Sequence, residues 1–187
     1  MRVFVAVALE AALRKTVAEL PQRLNSAAAF RWVPTGNLHL TLKFLGEIAE
    51  EHVDRVIGAA REVAGRAMPF PITLGGMGAF PSPKRPQVVW VGVAQGVDRL
   101  SELASDLDVT LHRVEFPRDS RAFRPHLTIA RAKQEGPMPD LSGPLRRLHG
   151  MVVGTQTVDA ILVMESTLNP AGSIYRSVEE VRLGEAS

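Results

Sequence analysis

Cysteine is absent from this chain, aromatic residues are few, and no long hydrophobic run occurs. Without cysteine there can be no disulfide, no thiolate metal ligand and no cysteine nucleophile, and the composition fits a reducing, cytoplasmic compartment. No apolar run reaches the roughly 18 residues that a membrane-spanning helix needs, so we expect no membrane partner. The formal net charge is only +2, which by itself gives no argument for nucleic-acid binding.

The order of hydrophobic patterns predicts an α+β protein. The 187 residues suit one domain, or one domain with two lobes, and the hydrophobic content of 45% is ordinary for a globular chain. Apolar periodicity predicts helices at 10–24, 47–67 and 98–114. Alternating or continuous apolar runs predict strands at 2–9, 30–33, 38–45, 126–132, 150–168 and 174–183, and two strands joined by a proline-rich turn within 70–94. Residues 115–125 and 134–144 are predicted loops, and hairpin-like neighbours favour antiparallel pairing.

One tetrapeptide occurs twice. His39-Leu40-Thr41-Leu42 returns as His126-Leu127-Thr128-Ile129, and each copy lies on a predicted strand after a turn signal. Because side chains alternate along a strand, histidine and threonine share one face and the aliphatic residues share the other. If two similar lobes pack about a pseudo-twofold axis, the two polar faces meet across a cleft.

Two histidines and two threonines in one cleft suit displacement at a phosphodiester. One imidazole can take the proton of the attacking oxygen while the other protonates the leaving oxygen. The hydroxyls can donate to phosphoryl oxygens, and no metal is needed. A ribose 2′,3′-cyclic phosphate suits this chemistry because its ring already holds the reacting atoms together.

Other interpretations of the repeat remain open. A single His-x-Thr is commonly a cross-strand polar pair on a solvated face. Two histidines can bind Zn²⁺, but the sequence has no His-Glu-x-x-His and no third ligand near the motifs. The pattern also fits another cyclic or 2′-5′-linked nucleotide phosphodiesterase, a 2′-5′ RNA ligase, or a nucleotide- or RNA-binding module without turnover.

The paired motifs resemble the signature of the two-histidine phosphoesterases. The segments at 31–47, 78–93, 123–131 and 165–175 are similar to the RNA 2′,3′-cyclic phosphodiesterases, historically called 2′-5′ RNA ligases. The resemblance covers nearly the whole chain. It implies one bilobal domain over residues 1–187, with two pseudo-symmetric lobes, each an antiparallel sheet with outer helices, and an active cleft between them.

The resemblance also implies an activity and a set of site residues. The expected reaction is hydrolysis of RNA 2′,3′-cyclic phosphate ends to 2′-phosphomonoesters by a monomer, without metal or cofactor. His39 is implied as the general acid on the leaving 3′ oxygen and His126 as the general base on water. Thr41, Thr128 and Arg131 are implied to bind the phosphate.

The flat-strand rule conflicts with the role implied for Arg131. It places Arg131 on the face opposite His126, unless the strand twists or bulges after Thr128 or the side chain reaches round the strand end. The same rule gives Lys43 the face of His39, where it either extends a positive cleft or is solvated at a strand end. It gives Phe44 the opposite face, in the core.

Basic and aromatic residues near the motifs are candidates for contacts with RNA. Residues 113–133 carry a local excess of +4, which predicts a positive cleft mouth. Its arginines outside the motif strand are Arg113, Arg118, Arg121 and Arg124. Lys84 and Arg85 extend this rim or form a solvated turn. Phe123 and Tyr175 are candidates to stack on a base, Trp90 is expected in the core, and Trp32 fits either place.

Overall fold

Nine strands and four helices make up the part of the chain that the structure describes. The structure is a computed structural model, and it describes residues 1–24, 27–133, 137–169 and 172–185. Within these ranges, no helix is both long and apolar enough to cross a membrane.

The strands and helices follow one another in the mixed order expected of an α+β chain. The strands are β1 (Arg2–Ala8), β2 (Phe30–Trp32), β3 (His39–Glu47), β4 (Phe70–Ser82), β5 (Arg85–Gln95), β6 (His126–Ala132), β7 (Val152–Val158), β8 (Ala160–Asn169) and β9 (Gly172–Arg182). The α-helices are α1 (Ala11–Ala18), α2 (Val53–Arg66), α3 (Val97–Arg113) and α4 (Ser142–Arg147). Short 3₁₀ turns lie at Leu20–Arg23, Ala27–Ala29, Thr35–Asn37 and Glu50–His52.

All the strands belong to one antiparallel sheet that consists of two halves. The strand order is β7-β4-β5-β6-β3-β1-β8-β9, with β2 paired to β6. One half is β7-β4-β5-β6 and the other is β3-β1-β8-β9, so the two motif strands meet at the junction. Each half carries helices on its apolar face, which confirms the expected two-lobed α+β fold.

The core lies between the apolar face of the sheet and the helices. Leu40 and Leu127 are buried at the junction of the halves. Helix α3 buries the stripe that its spacing predicts, and α2 packs beside it. The buried α3 residues include Leu100, Leu103, Leu107 and Leu111. The sequence therefore places this part of the core correctly.

Several predicted boundaries are wrong, each for a local reason. Pro21 lies in a 3₁₀ turn that follows α1, because proline cannot continue the α-helical hydrogen bonds. Glu47 ends β3, and α2 begins only at Val53. The predicted loop at 134–144 contains the start of α4, while its residues 134–136 lie outside the described part of the chain.

The stretch predicted as one strand at 150–168 is two strands in different halves of the sheet. β7 pairs with β4 and β8 pairs with β1, and only Asp159 separates them. The sheet curves enough for β7 to approach the end of β1. Buried Gln156 bridges the two: its Nε2 donates to the Ala8 carbonyl at 2.9 Å, and its Oε1 accepts from the Glu10 N–H at 3.0 Å.

Candidate active site

The two motif strands are neighbours in the sheet, with their equivalent leucines opposite each other. β3 and β6 run antiparallel, and Leu40 lies opposite Leu127. Extending this register by one residue in each direction sets His39 opposite Thr128 and Thr41 opposite His126. Because the leucines share one face, all four polar residues lie on the other face. Diagonal neighbours of this kind are ~7–8 Å apart, so a phosphate can lie between the two histidines.

Both motifs show the same burial pattern. From His39 to Leu45 and from His126 to Ala132, histidine and threonine are half-buried, the second, fourth and fifth residues are buried, and the sixth residue is exposed. The sheet therefore brings the four polar motif residues to one face, as the alternation in the sequence predicts. Their hydroxyls and Nε2 atoms have no hydrogen-bond partner among the described residues.

The two imidazoles are held in the same way. Nδ1 of His39 lies 2.7 Å from the Asn37 carbonyl oxygen, and Nδ1 of His126 lies 2.8 Å from the Arg124 carbonyl oxygen. A carbonyl oxygen only accepts, so Nδ1 carries the proton in each ring. Nε2 is then the free nitrogen of both residues. A neutral ring accepts a proton there, and a charged ring donates one.

Aromatic rings pack beside both histidines, two beside His39 and one beside His126. The His39 ring lies 4.8 Å from Phe4 and 5.2 Å from Tyr175, while the His126 ring lies 5.2 Å from Phe80. Burial among these neighbours lowers the pKa of His39, an effect partly offset by its hydrogen bond to the Asn37 carbonyl. Tyr175 is thus packed beside a motif histidine, edge-on to its ring.

Matching β-bulges explain where Arg131 lies. Along β6, Thr128 lies opposite Trp90 and Arg131 lies opposite Val88, so Ile129 is an extra residue in the strand. Trp90 and Val88 share one face of β5, and Arg131 therefore shares the face of Thr128. Of the alternatives left open by the sequence, the bulge is the one found.

The same bulge in β3 reverses two expectations. Leu42 is the extra residue there, at the position in the first motif that Ile129 holds in the second. Phe44 lies opposite Phe4 on the motif face and is 63% exposed, so the expectation that it is in the core is wrong. Lys43 turns to the helix face and is buried, so neither expectation for it, cleft or solvent, is correct.

Lys43 is the buried centre of an ion-pair network. Its Nζ lies 2.6 Å from Asp108 and 2.9 Å from Asp119, and it donates to the Pro117 carbonyl at 3.0 Å. Burial would raise the pKa of Asp108, but hydrogen bonds from Lys43, the Asp119 N–H and Arg118 together lower it. The network ties the segment before His126 to the first-motif strand. Arg118 is consequently bound to a carboxylate, not free at the cleft mouth.

The tryptophans occupy places that spacing alone does not reveal. Trp90 is half-buried on the motif face opposite Thr128, not in the core, and its ring lies 5.3 Å from Phe80. It covers Gly78, where a Cβ would come within 2.1 Å of the indole. Trp32 lies on the other face, where its Nε1 donates to the Ala27 carbonyl at 2.9 Å.

Arg31 lies near the motif residues, a position that the sequence analysis does not predict. Strand β2 pairs with the end of β6, and Arg31 lies opposite Arg131. Opposite residues share a face, so Arg31 is on the motif face. The sequence offers one indication of this position: Arg31 is a charged residue between two apolar residues, Phe30 and Trp32.

Of the other cationic candidates, Arg113 pairs with Glu62, while Arg121 and Arg124 are exposed and have no acidic partner within the described ranges. Phe123 packs partly buried against the core. Over the same ranges, no group of three or more histidine, aspartate or glutamate side chains is placed to hold a metal ion.

Comparison with known proteins finds the same architecture. The sequence profile of the LigT like phosphoesterases matches residues 7–90 and again 91–175, one motif in each match. A crystal structure of TT0787 from Thermus thermophilus superposes with a TM-score of 0.83 at 28% identity, over 98% of both chains. LigT from E. coli, solved in complex with 3′-AMP, gives a TM-score of 0.78 at 27% identity, also over 98% of both. Fold and site together define a two-lobed phosphoesterase, an enzyme.

Proteins of similar sequence show to which family the chain belongs. The chain is 33% identical to the RNA 2′,3′-cyclic phosphodiesterase of Aquifex aeolicus, covering 98% of each chain. It is 35% identical to the protein of the same name from Methanothermobacter thermautotrophicus, covering 98% of this chain and 99% of the relative. The chain belongs to the LigT like phosphoesterase family. The resemblance seen in the sequence is confirmed.

Proposed function

We propose that this enzyme hydrolyses RNA 2′,3′-cyclic phosphate ends to 2′-phosphomonoesters without a metal ion. The observation that carries the proposal is the pair of imidazoles, each with Nδ1 bound to a backbone carbonyl and Nε2 free on the face of Thr41 and Thr128. The names of the relatives from Aquifex aeolicus and Methanothermobacter thermautotrophicus support the same substrate.

In the proposed reaction, His126 acts as general base and His39 as general acid. Nε2 of His126 takes a proton from water as the water oxygen forms a bond to phosphorus. The bond from phosphorus to O3′ breaks, and Nε2–H of His39 protonates O3′. The products are a 2′-phosphate and a 3′-hydroxyl, with His126 charged and His39 neutral; proton exchange with water restores both rings.

The burial of His39 suits the role of acid. A lowered pKa makes an imidazolium a stronger acid, although less of it is charged in the free protein. A bound phosphate places a negative charge beside the ring, which favours the charged form in the complex. The Thr41 and Thr128 hydroxyls donate to the non-bridging oxygens, and Arg131 contributes a positive charge on the same face.

The experiment is incubation of a short RNA ending in a 2′,3′-cyclic phosphate with the enzyme in excess EDTA, with identification of the end group by ³¹P NMR. We expect a 2′-phosphate, formed at the same rate with and without EDTA. His149→Ala, at an exposed histidine outside the motifs, is the matched control for His39→Ala and His126→Ala.

Three results would contradict the proposal in different ways. A 3′-phosphate product would assign the acid to O2′ instead of O3′. Activity lost in EDTA and restored by Zn²⁺ or Mn²⁺ would require a metal. Tight RNA binding without turnover would make the protein a binding module.

A further inference from the structure

Arg31 and Arg131 form a pair of like charges on adjacent strands. They lie directly opposite each other in the β2–β6 ladder, on the face of His126 and Thr128. Like charges in this position destabilise a sheet. Both side chains are exposed, and neither guanidinium has an acidic or hydrogen-bonding partner within the described part of the chain. The fold thus keeps an unfavourable pair beside the motifs.

The backbone that presents Arg31 is fixed on both sides. Phe30 is buried, and Trp32 packs edge-on against it at 6.4 Å with its indole N–H bonded to the Ala27 carbonyl. The Val33 N–H donates to the Ile129 carbonyl at 2.9 Å, which continues the ladder towards the first motif. The alternation of β2 therefore directs Arg31 away from the core while its neighbours anchor the strand.

The charges around a cyclic phosphate do not require a second arginine. A 2′,3′-cyclic phosphodiester carries a single negative charge. One charged imidazole and Arg131 already supply two positive charges near it. The charge of a second guanidinium, beyond Arg131, is neutralised only by a second anionic group. In a polynucleotide the nearest such group is the adjacent phosphodiester.

We propose that Arg31 binds the internucleotide phosphate next to the cyclic phosphate, and so selects an RNA end over a mononucleotide. This inference rests on the proposed function, since it takes the cyclic phosphate to lie between the histidines. Arg131 lies between Arg31 and the motif threonine Thr128 on one face. A guanidinium suits this role because its planar fork can donate two hydrogen bonds to one phosphate.

The test uses two dinucleotides that end in a 2′,3′-cyclic phosphate. One has a normal internucleotide phosphate, and the other has a methylphosphonate, which keeps the shape but removes the charge. We expect the native enzyme to have a KM lower by roughly three- to tenfold for the charged dinucleotide, an effect between that of an exposed ion pair and that of a full hydrogen bond to a charged group. Arg31→Ala should bring this ratio close to one, and Arg31→Lys should retain part of it.

Arg23→Ala is the matched control, because Arg23 is exposed in the 3₁₀ turn after α1 and lies outside the β2–β6 pair. It should keep the native ratio. The inference is overturned if the native ratio is one, if Arg31→Ala keeps the native ratio, or if Arg31→Ala raises KM equally for both dinucleotides, which would assign Arg31 to the cyclic phosphate.

Failure of the proposed function is a separate outcome. If the native enzyme hydrolyses neither dinucleotide, the same charged and uncharged pair with 3′-phosphate ends is compared by Kd. Loss of the charge preference in Arg31→Ala then supports the phosphate site, and a retained preference overturns it.

Discussion

Lys43, in the strand of the first motif, forms a 2.9 Å ion pair with Asp119, in the segment that leads to the second motif. The same ammonium lies 2.6 Å from Asp108 on α3 and is almost inaccessible to solvent. One buried side chain therefore links the strand of His39 to the backbone that precedes His126. Because Arg124, in that segment, supplies the carbonyl that holds the His126 ring, the link reaches the site.

Replacing Lys43 should cost substantial stability. Lys43→Met leaves Asp108 buried without its buried cation, and breaking a buried pair destabilises by ~3–5 kcal/mol. We expect the lower end, about 3 kcal/mol, because Asp108 keeps Arg118 and the Asp119 N–H. The measurement is the free energy of unfolding in urea.

Two further variants test whether the loss of stability comes from the buried ion pair. Arg61→Met breaks an exposed ion pair with Glu179 and should change stability by less than about 1 kcal/mol. Lys43→Met combined with Asp108→Asn should be less destabilising than the sum of the two single changes. A Lys43→Met protein as stable as the native one would show that the network contributes nothing.

The motif residues should divide into two classes by the size of their effect. His39→Ala and His126→Ala should each lower turnover by ~10²–10⁴-fold, as for loss of one acid–base group. Thr41→Val and Thr128→Val should cost less, roughly 10- to 150-fold, because each removes one hydrogen bond to a charged group. Turnover of the cyclic-phosphate RNA is the readout.

Thr155→Val serves as the control for the threonine variants, since its hydroxyl pairs with Thr73 on the exposed edge of the sheet. Near-native turnover in a folded His39→Ala or His126→Ala protein would contradict the acid–base pair.

The ionisation of His39 should depend on burial and on bound anion. In the free protein its pKa should lie below the ordinary value of about 6.5. At pH values between the lowered pKa of folded His39 and its ordinary pKa in the unfolded chain, the unfolded chain binds more protons than the folded one. Stability should therefore decrease as pH falls through this window. NMR titration of the imidazole signals, assigned with His39→Asn, gives the pKa, and inorganic phosphate should raise it. A pKa at or above the ordinary value would contradict the burial argument.

The salt dependence of RNA binding should report on Arg121 and Arg124. Both are exposed without an acidic partner in the described ranges, whereas Arg118 is bound to Asp108. Each phosphate contact on a single strand contributes a slope of roughly −0.7 in log affinity against log salt. Replacing both arginines by alanine should make the slope for a longer RNA less negative, while Arg23→Ala should not. An unchanged slope would remove this segment from the RNA contact surface.

The sequence predicts the centre of the site better than its surroundings. Alternation alone places His39 with Thr41 and His126 with Thr128, and the repeat implies that the two pairs face one cleft. Beyond those residues, each strand contains an extra residue at the same position of its motif, Leu42 or Ile129. A bulge of this kind leaves no mark in composition, because the extra residue is an apolar, buried residue like Leu40 and Leu127 on the core face.

That single extra residue accounts for several of the errors. It turns Lys43 inward and Phe44 outward, and it returns Arg131 to the motif face. The position of Arg31 is not predicted for a different reason: its place on the motif face follows from its pairing with Arg131 across the ladder, and pairing between distant strands is not encoded in local spacing. The split of residues 150–168 into two strands likewise follows from their partners, β4 and β1.

The two matches to the family profile do not coincide with the two halves of the sheet. Residues 7–90 contribute β3 to one half but β4 and most of β5 to the other, and residues 91–175 contribute β6 and β7 to one half but β8 to the other. Each repeat thus contributes strands to both halves, like subunits of a domain-swapped dimer joined into one chain. We propose that residues 1–187 form a single cooperative unit. A chain cut near Gly96 should then yield two fragments that fold and act only when mixed, by complementation.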